Sequence, residues 1–116
     1  MDKVDRKARV QAYKLAFPEM GIYAVRNLQS GRQLIGMSTN LPGSLNRHRT
    51  ELRFGSHRNP ALMSDWKAMG ESRFAFEVLE QLKEQADPGF NYRAELERRL
   101  EAWQQRMPSG SDASYL

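Results

Sequence analysis

Two apolar periods run along this chain, and their order outlines its elements. Residues 21–28 (GIYAVRNL) and 32–38 (RQLIGMS) are short runs with Ile, Tyr and Val, the composition of strands. The polar connection Gln29-Ser30-Gly31 lies between them and ends in Gly, which turns at no steric cost. Together they predict an antiparallel hairpin. Gly36 sits near the middle of its second strand, where a Gly often marks a close approach of backbone or ligand. Residues 45–54 (LNRHRTELRF) change to helical spacing, with Leu45, His48, Leu52 and Arg49 toward one face and Gly55 as the stop. Ser44 or Asn40 could cap this helix. Asn59-Pro60 opens another helix, lined by Leu62, Trp66 and Met69 and ended by Gly70. Residues 73–80 (RFAFEVLE) alternate as a third strand, and 91–107 carry a last helical stripe from Tyr92 through Leu96, Leu100 and Trp103 to Met107. Residues 2–16 read as a basic helix that Pro18 ends. The pattern predicts an α+β (α/β) domain over 1–107, a small three-stranded antiparallel sheet flanked by helices, followed by a flexible tail over 108–116.

Composition narrows the class. With 116 residues, 40% of them hydrophobic, the chain can bury one modest core. No apolar run is long enough to span a membrane, and the charged start from Asp2 onward is not a secretory signal. The absence of Cys excludes disulfides and thiolate metal sites and fits a cytoplasmic protein. A net charge of +4 and a pI near 9.7 suit a polyanionic partner. That charge is densest between 47 and 58, where Arg47, His48, Arg49, Arg53, His57 and Arg58 stand against one acid, Glu51.

Tyr23 on the hairpin and His48 on the basic helix could manage protons at a phosphodiester. Tyr ordinarily titrates near pH 10, so a Tyr base at neutral pH needs positive charge beside it. Arg and His could supply that charge and neutralise the phosphate. A metal-assisted reaction would add a carboxylate holding Mg²⁺ or Mn²⁺. The same residues also fit a plain sheet hairpin and a half-buried helix histidine.

The ordered set Gly21-Ile22-Tyr23, Leu34-Ile35-Gly36 and Asn46-Arg47-His48 resembles the GIY-YIG nuclease superfamily. HRNPAL (57–62), Asp65-Trp66, the Gly before the third strand and FAFEVLE (74–80) extend the likeness over roughly residues 20–105. The resemblance implies a GIY-YIG-like fold and a metal-dependent endonuclease using Mg²⁺ or Mn²⁺ on nucleic acid, with DNA favoured. The family's general-base or water-orienting Tyr falls on Tyr23. The His one turn beyond its catalytic Arg falls on His48, and a further His of some members falls on His57.

Three family positions are replaced. The second Tyr falls on Leu34, the catalytic Arg on Ser44, and the metal-binding Glu on Leu100. By this resemblance Arg47 or Arg49 would steady the phosphate, and Glu97 or Glu101, flanking Leu100, would hold the metal. Arg49, Arg53, His57 and Arg58 would contact nucleic acid. One reading is an endonuclease with a rearranged site. A second is a nuclease fold that has lost hydrolysis and binds DNA or RNA. A third is a protein-interaction module using its Phe and Trp faces.

Overall fold

The computed structural model describes residues 17–106 and 113–115. The basic helix expected over 2–16 lies outside them. Strand β1 runs Gly21–Asn27, β2 Gln33–Ser38 and β3 Phe74–Gln81. Helix α1 spans Leu41–Arg53, α2 Pro60–Met69 and α3 Tyr92–Gln105. A short 3₁₀ turn, Glu71–Arg73, leads into β3. The sheet order is β2-β1-β3 with both pairings antiparallel. The expected sheet and its flanking helices are therefore present. No helix among the described residues is long and apolar enough to cross a membrane.

Helix α1 begins at Leu41 rather than at 45. Leu41-Pro42-Gly43 reads as turn chemistry, but Pro is well placed in a first helical turn, where its missing N–H has no partner to lose. Asn40 is the cap, its side chain accepting from Gly43 N at 3.1 Å. Asn59 and Asn91 cap α2 and α3 in the same way, accepting from Leu62 N and Ala94 N.

Strand β1 is paired along both edges and packed on both faces, and strand alternation divides the molecule. Ile22 and Ala24 join Ile35, Leu82 and Leu96 in a cluster beneath α3, with Leu100 and Trp103 packed against it. Val25 joins Leu34, Leu52, Leu62, Trp66 and Phe74 in a second cluster beneath α1 and α2. Tyr23 lies on this second face.

The register of β3 slips between Ile22, which faces Glu80, and Tyr23, which faces Val78. The slip presses β3 against Gly21. A Cβ on Gly21 would run into the Glu80 carbonyl oxygen and come within 2.8 Å of Gln81 Cα, so this irregular pairing requires glycine.

Residues 113–115 depart from the expected tail. Gln33 N donates to Ala113 O at 2.9 Å, and Tyr115 N donates to Gln33 O at 3.0 Å. Tyr115 is buried with Val25 and Leu34 in the second cluster. Its hydroxyl donates to Asp65 Oδ2 at 2.7 Å and accepts from Asn27 Nδ2 at 3.0 Å, and Arg32 lies over its ring. One aromatic ring and an edge pairing outweigh the small, polar composition of the segment.

Candidate active site

Gly36 faces Tyr23 across the β1–β2 ladder. A Cβ on Gly36 would lie 2.5 Å from Tyr23 Oη and 2.6 Å from Cζ. The bare backbone there forms the floor on which the Tyr23 ring rests. The ring is thereby pressed toward α1, whose buried residues are Leu41, His48 and Leu52. Leu41 and Leu52 fix the helix against the core, and the same face then carries His48 inward.

A hydrogen-bonded chain starts at this ring. Tyr23 Oη lies 2.7 Å from His48 Nε2. His48 Nδ1 lies 2.8 Å from His57 Nε2. His57 Nδ1 accepts from the Asn59 backbone N–H at 3.0 Å. A backbone N–H can only donate, so His57 Nδ1 carries no proton. Neutral His57 therefore holds its proton on Nε2 and donates to His48 Nδ1. Neutral His48 in turn donates from Nε2 to Tyr23 Oη. The direction of the chain is set at its far end, and it leaves the Tyr23 proton and one Oη lone pair free of His48.

The electrostatics agree with this direction. Burial, then the charges of His57 and Arg47, push His48 down from 6.5 to about 4, with Glu51 opposing. Burial also lowers His57, with Glu51 opposing and Arg47 adding. Burial raises Tyr23; Arg47 pulls it back and Glu51 adds to the rise. Positive charge beside Tyr23 is present as the sequence required, but desolvation wins. The group at rest is a phenol that accepts from a neutral imidazole.

This depression makes stability depend on pH. The unfolded chain regains the ordinary value of 6.5 and so binds more protons than the folded chain as pH falls toward about 4. The His48 contribution is whole above pH 6.5 and is lost as pH falls through about 4. The shift corresponds to a loss on the order of 3 kcal/mol. Urea unfolding between pH 7 and pH 4 measures it. His48→Gln, which cannot titrate, gives a shallower slope over this window.

Of the other residues singled out, Arg47 is close enough to act on Tyr23, His48 and His57. Its side chain is 65% exposed, with one ion pair to Glu51 at 3.7 Å. Arg49 turns toward β3, over the Phe76 ring. Arg53 is held bidentately by Glu71 at 2.6 and 2.7 Å. His57 is half-buried inside the chain of bonds, so neither ring nitrogen is free for a phosphate. Arg58 is exposed and lines a shallow depression with His57, Pro60, Met63, Ser64 and Lys67. Ser44, at the family's Arg position, bonds Ser38 Oγ at 2.6 Å. Leu34 and Leu100 are packed in the two apolar clusters.

Glu97 and Glu101 are not brought to Tyr23. They are exposed on α3, which covers the opposite face of the sheet, where Glu97 accepts from Arg93 and Glu101 from Gln105. Their replacement of the carboxylate missing at Leu100 fails for a geometric reason: the Leu96, Leu100 and Trp103 stripe packs on the sheet and leaves Glu97 and Glu101 facing outward. The Mg²⁺ or Mn²⁺ implied by the resemblance needs several converging oxygen donors. Among the described residues no three His, Asp or Glu side chains converge. Among the described residues, the carboxylate acting on all three members of the chain is Glu51, already facing Arg47. Both nitrogens of each His are engaged. This donor set does not fit a divalent metal at Tyr23.

Residues given no chemical role from the sequence complete the site. Gly36 supplies the floor, the Asn59 amide the direction, and Glu51 the local negative charge. In the sequence Asn59 marks, with Pro60, only the opening of a helix.

No family model and no curated protein matches this chain. Solved structures do. The catalytic domain of the homing endonuclease I-TevI superposes with a TM-score of 0.64 at 20% identity, covering 78% of this chain and 90% of that one. A single-residue variant of the same intron endonuclease domain gives 0.62 at 19% identity, covering 76% and 82%. At these identities the likeness is one of fold, and it extends across the sheet and its helices.

Proposed function

On a chain of GIY-YIG-like fold, we propose that the Tyr23–His48–His57 face hydrolyses phosphodiesters of nucleic acid, DNA foremost. The observation that carries this reading is the directed hydrogen-bond chain ending on Tyr23 Oη. A phenol that accepts from His48 keeps one lone pair to orient an attacking water. It keeps its proton to donate to the phosphate oxygen that leaves as the P–O bond breaks, and the proton released by the attacking water then restores the phenol. Negative charge arriving on Oη as that proton moves is met by the His48 Nε2–H, already in place and partly shielded from water, where such a donor is most effective. Arg47, exposed beside the phenol, meets the charge that builds on the phosphate. No step is routed through a metal.

Around this centre, Arg58 and Lys67 give a nucleic-acid strand a path without acids in the depression of about 450 Å³ beside His57. Arg47→Ala and Arg58→Ala each weaken DNA binding and lower the slope of log affinity against log salt by about one. Arg53→Ala leaves the slope unchanged, because Glu71 already neutralises that guanidinium. Fluorescence anisotropy of a labelled duplex across a salt series distinguishes the three.

The second reading, a nuclease fold kept only for binding, is favoured by one observation: α3 offers no carboxylate to the Tyr23 face. The deciding experiment is cleavage of supercoiled plasmid and of single-stranded DNA, with Mg²⁺, with Mn²⁺ and with chelator. Cleavage supports hydrolysis, and the chelator lane reads out metal dependence. Intact DNA in every lane, with salt-sensitive binding retained, overturns hydrolysis in favour of binding alone.

A further inference from the structure

Besides accepting from Met63 N in the first turn of α2, Asn59 makes bonds to three different parts of the molecule. Its backbone N–H donates to His57 Nδ1 at 3.0 Å, at the far end of the chain that reaches Tyr23. Its Oδ1 accepts from Leu62 N at 3.0 Å and caps α2. Its Nδ2 donates to the Tyr115 carbonyl oxygen at 2.7 Å. The last bond ties it to the segment that the sequence reads as a loose tail.

We infer that residues 113–115 are a strap whose Tyr115 carbonyl, acting through Asn59, holds His57 in the single tautomer that aims the hydrogen-bond chain at Tyr23. The strap is itself well anchored. It pairs with Gln33 through Ala113 O and Tyr115 N at 2.9 and 3.0 Å. The Tyr115 hydroxyl is fixed by Asp65 and Asn27 at 2.7 and 3.0 Å. Each anchor sits on a different element: β2, α2 and the end of β1. The carbonyl of residue 115 is thus placed by three parts of the fold at once.

The Leu62 bond alone holds one side of the Asn59 amide group. The Tyr115 bond holds the other, and the two together fix the plane of the side chain. A side chain fixed at both ends leaves the Asn59 backbone little freedom, so its N–H keeps pointing at His57. Without the strap, that amide loses its aim. His57 Nδ1 can then take a proton, its Nε2 becomes an acceptor, and the chain toward Tyr23 reverses or breaks. Asn59 and Tyr115 are positioning residues in this scheme, since neither reaches Tyr23.

The kinetic side of this inference rests on the hydrolytic reading, whereas its spectroscopic side does not. Long-range proton–nitrogen correlation on ¹⁵N-histidine protein reports which ring nitrogen of each His carries hydrogen. In the unmodified protein, His57 shows Nε2 protonated and Nδ1 bare. Asn59→Ser retains a helix-capping oxygen but is too short to reach the Tyr115 carbonyl. It gives His57 a mixed or reversed tautomer, with the fold intact by circular dichroism. Tyr115→Ala, which removes the buried anchor, does the same. Tyr115→Phe keeps the ring, the carbonyl and the pairing with Gln33 but loses both hydroxyl anchors, so its His57 tautomer is less uniform than in the unmodified protein and more uniform than in Tyr115→Ala.

A protonated Nδ1 on His57 in the unmodified protein overturns the inference. So does a folded Asn59→Ser protein with unchanged His57 nitrogens. If Tyr115→Ala fails to fold, Asn59→Ser decides alone. A protein that cleaves no DNA but shows the expected tautomers removes the hydrolytic reading and leaves the strap standing.

Discussion

If the Tyr23 face hydrolyses phosphodiesters as proposed, Tyr23→Phe slows cleavage on the order of 100- to 1000-fold while the fold persists, the loss expected on removing one preorganised polar group from a site. The Phe ring occupies the same floor above Gly36, so packing changes little. What disappears is the single atom on which the hydrogen-bond chain converges. Water loses its orienting lone pair and the phosphate loses its donor. The His48 Nε2–H also loses its acceptor in a buried position, which costs about 1–3 kcal/mol of stability. Single-turnover cleavage of plasmid measures the first effect and urea unfolding the second. DNA affinity stays close to that of the unmodified protein, because it comes from Arg and Lys charge. Cleavage within about threefold of normal would remove Tyr23 from the chemistry; the threshold lies far below the loss that a preorganised group implies.

Gly36→Ala brings cleavage to the Tyr23→Phe level or below, through a different atom. The new methyl would stand 2.5 Å from Tyr23 Oη and 2.6 Å from Cζ, well inside contact distance. An exposed side chain would swing away. Tyr23 cannot do so cheaply, since it is 6% exposed and bonded to His48. Either the ring lifts off and breaks the 2.7 Å bond, or β2 bends away from β1. Overpacking of this kind costs about 1–3 kcal/mol. The two substitutions act on one bond, so their effects on rate do not add. The double variant cleaves no more slowly than the slower of the two single ones, and the same single-turnover assay tests this. Full additivity would mean that Gly36 matters for a reason other than seating Tyr23.

The strands and helices were legible in the sequence because their signals are local. Alternation of Phe74, Phe76 and Val78 marks β3, and Asn59-Pro60 marks the start of α2. Helix α1 starts four residues before the helix that the apolar spacing predicts. Pro42 and Gly43 carry opposite meanings in a turn and in a first helical turn, and only the Asn40 cap distinguishes them. Within the site, Tyr23, His48 and Arg47 were legible as a constellation, and the structure brings them to one face. The acidic partner was misplaced, because a stripe tells which residues of α3 face inward but not which face of the sheet receives them.

By itself the sequence determined the element order, the antiparallel hairpin, the basic charge and the residue types able to handle a phosphodiester. All of these follow from residues a few positions apart. Tertiary structure alone decided the direction of the hydrogen-bond chain, the phenolic state of Tyr23, the separation of Glu97 and Glu101 from it, and the docking of Tyr115. Each depends on atoms brought together from distant parts of the chain. A proton's position follows from the last donor in a series, here the Asn59 amide, and a pKa follows from burial. Neither has a trace in the spacing of residues along the chain.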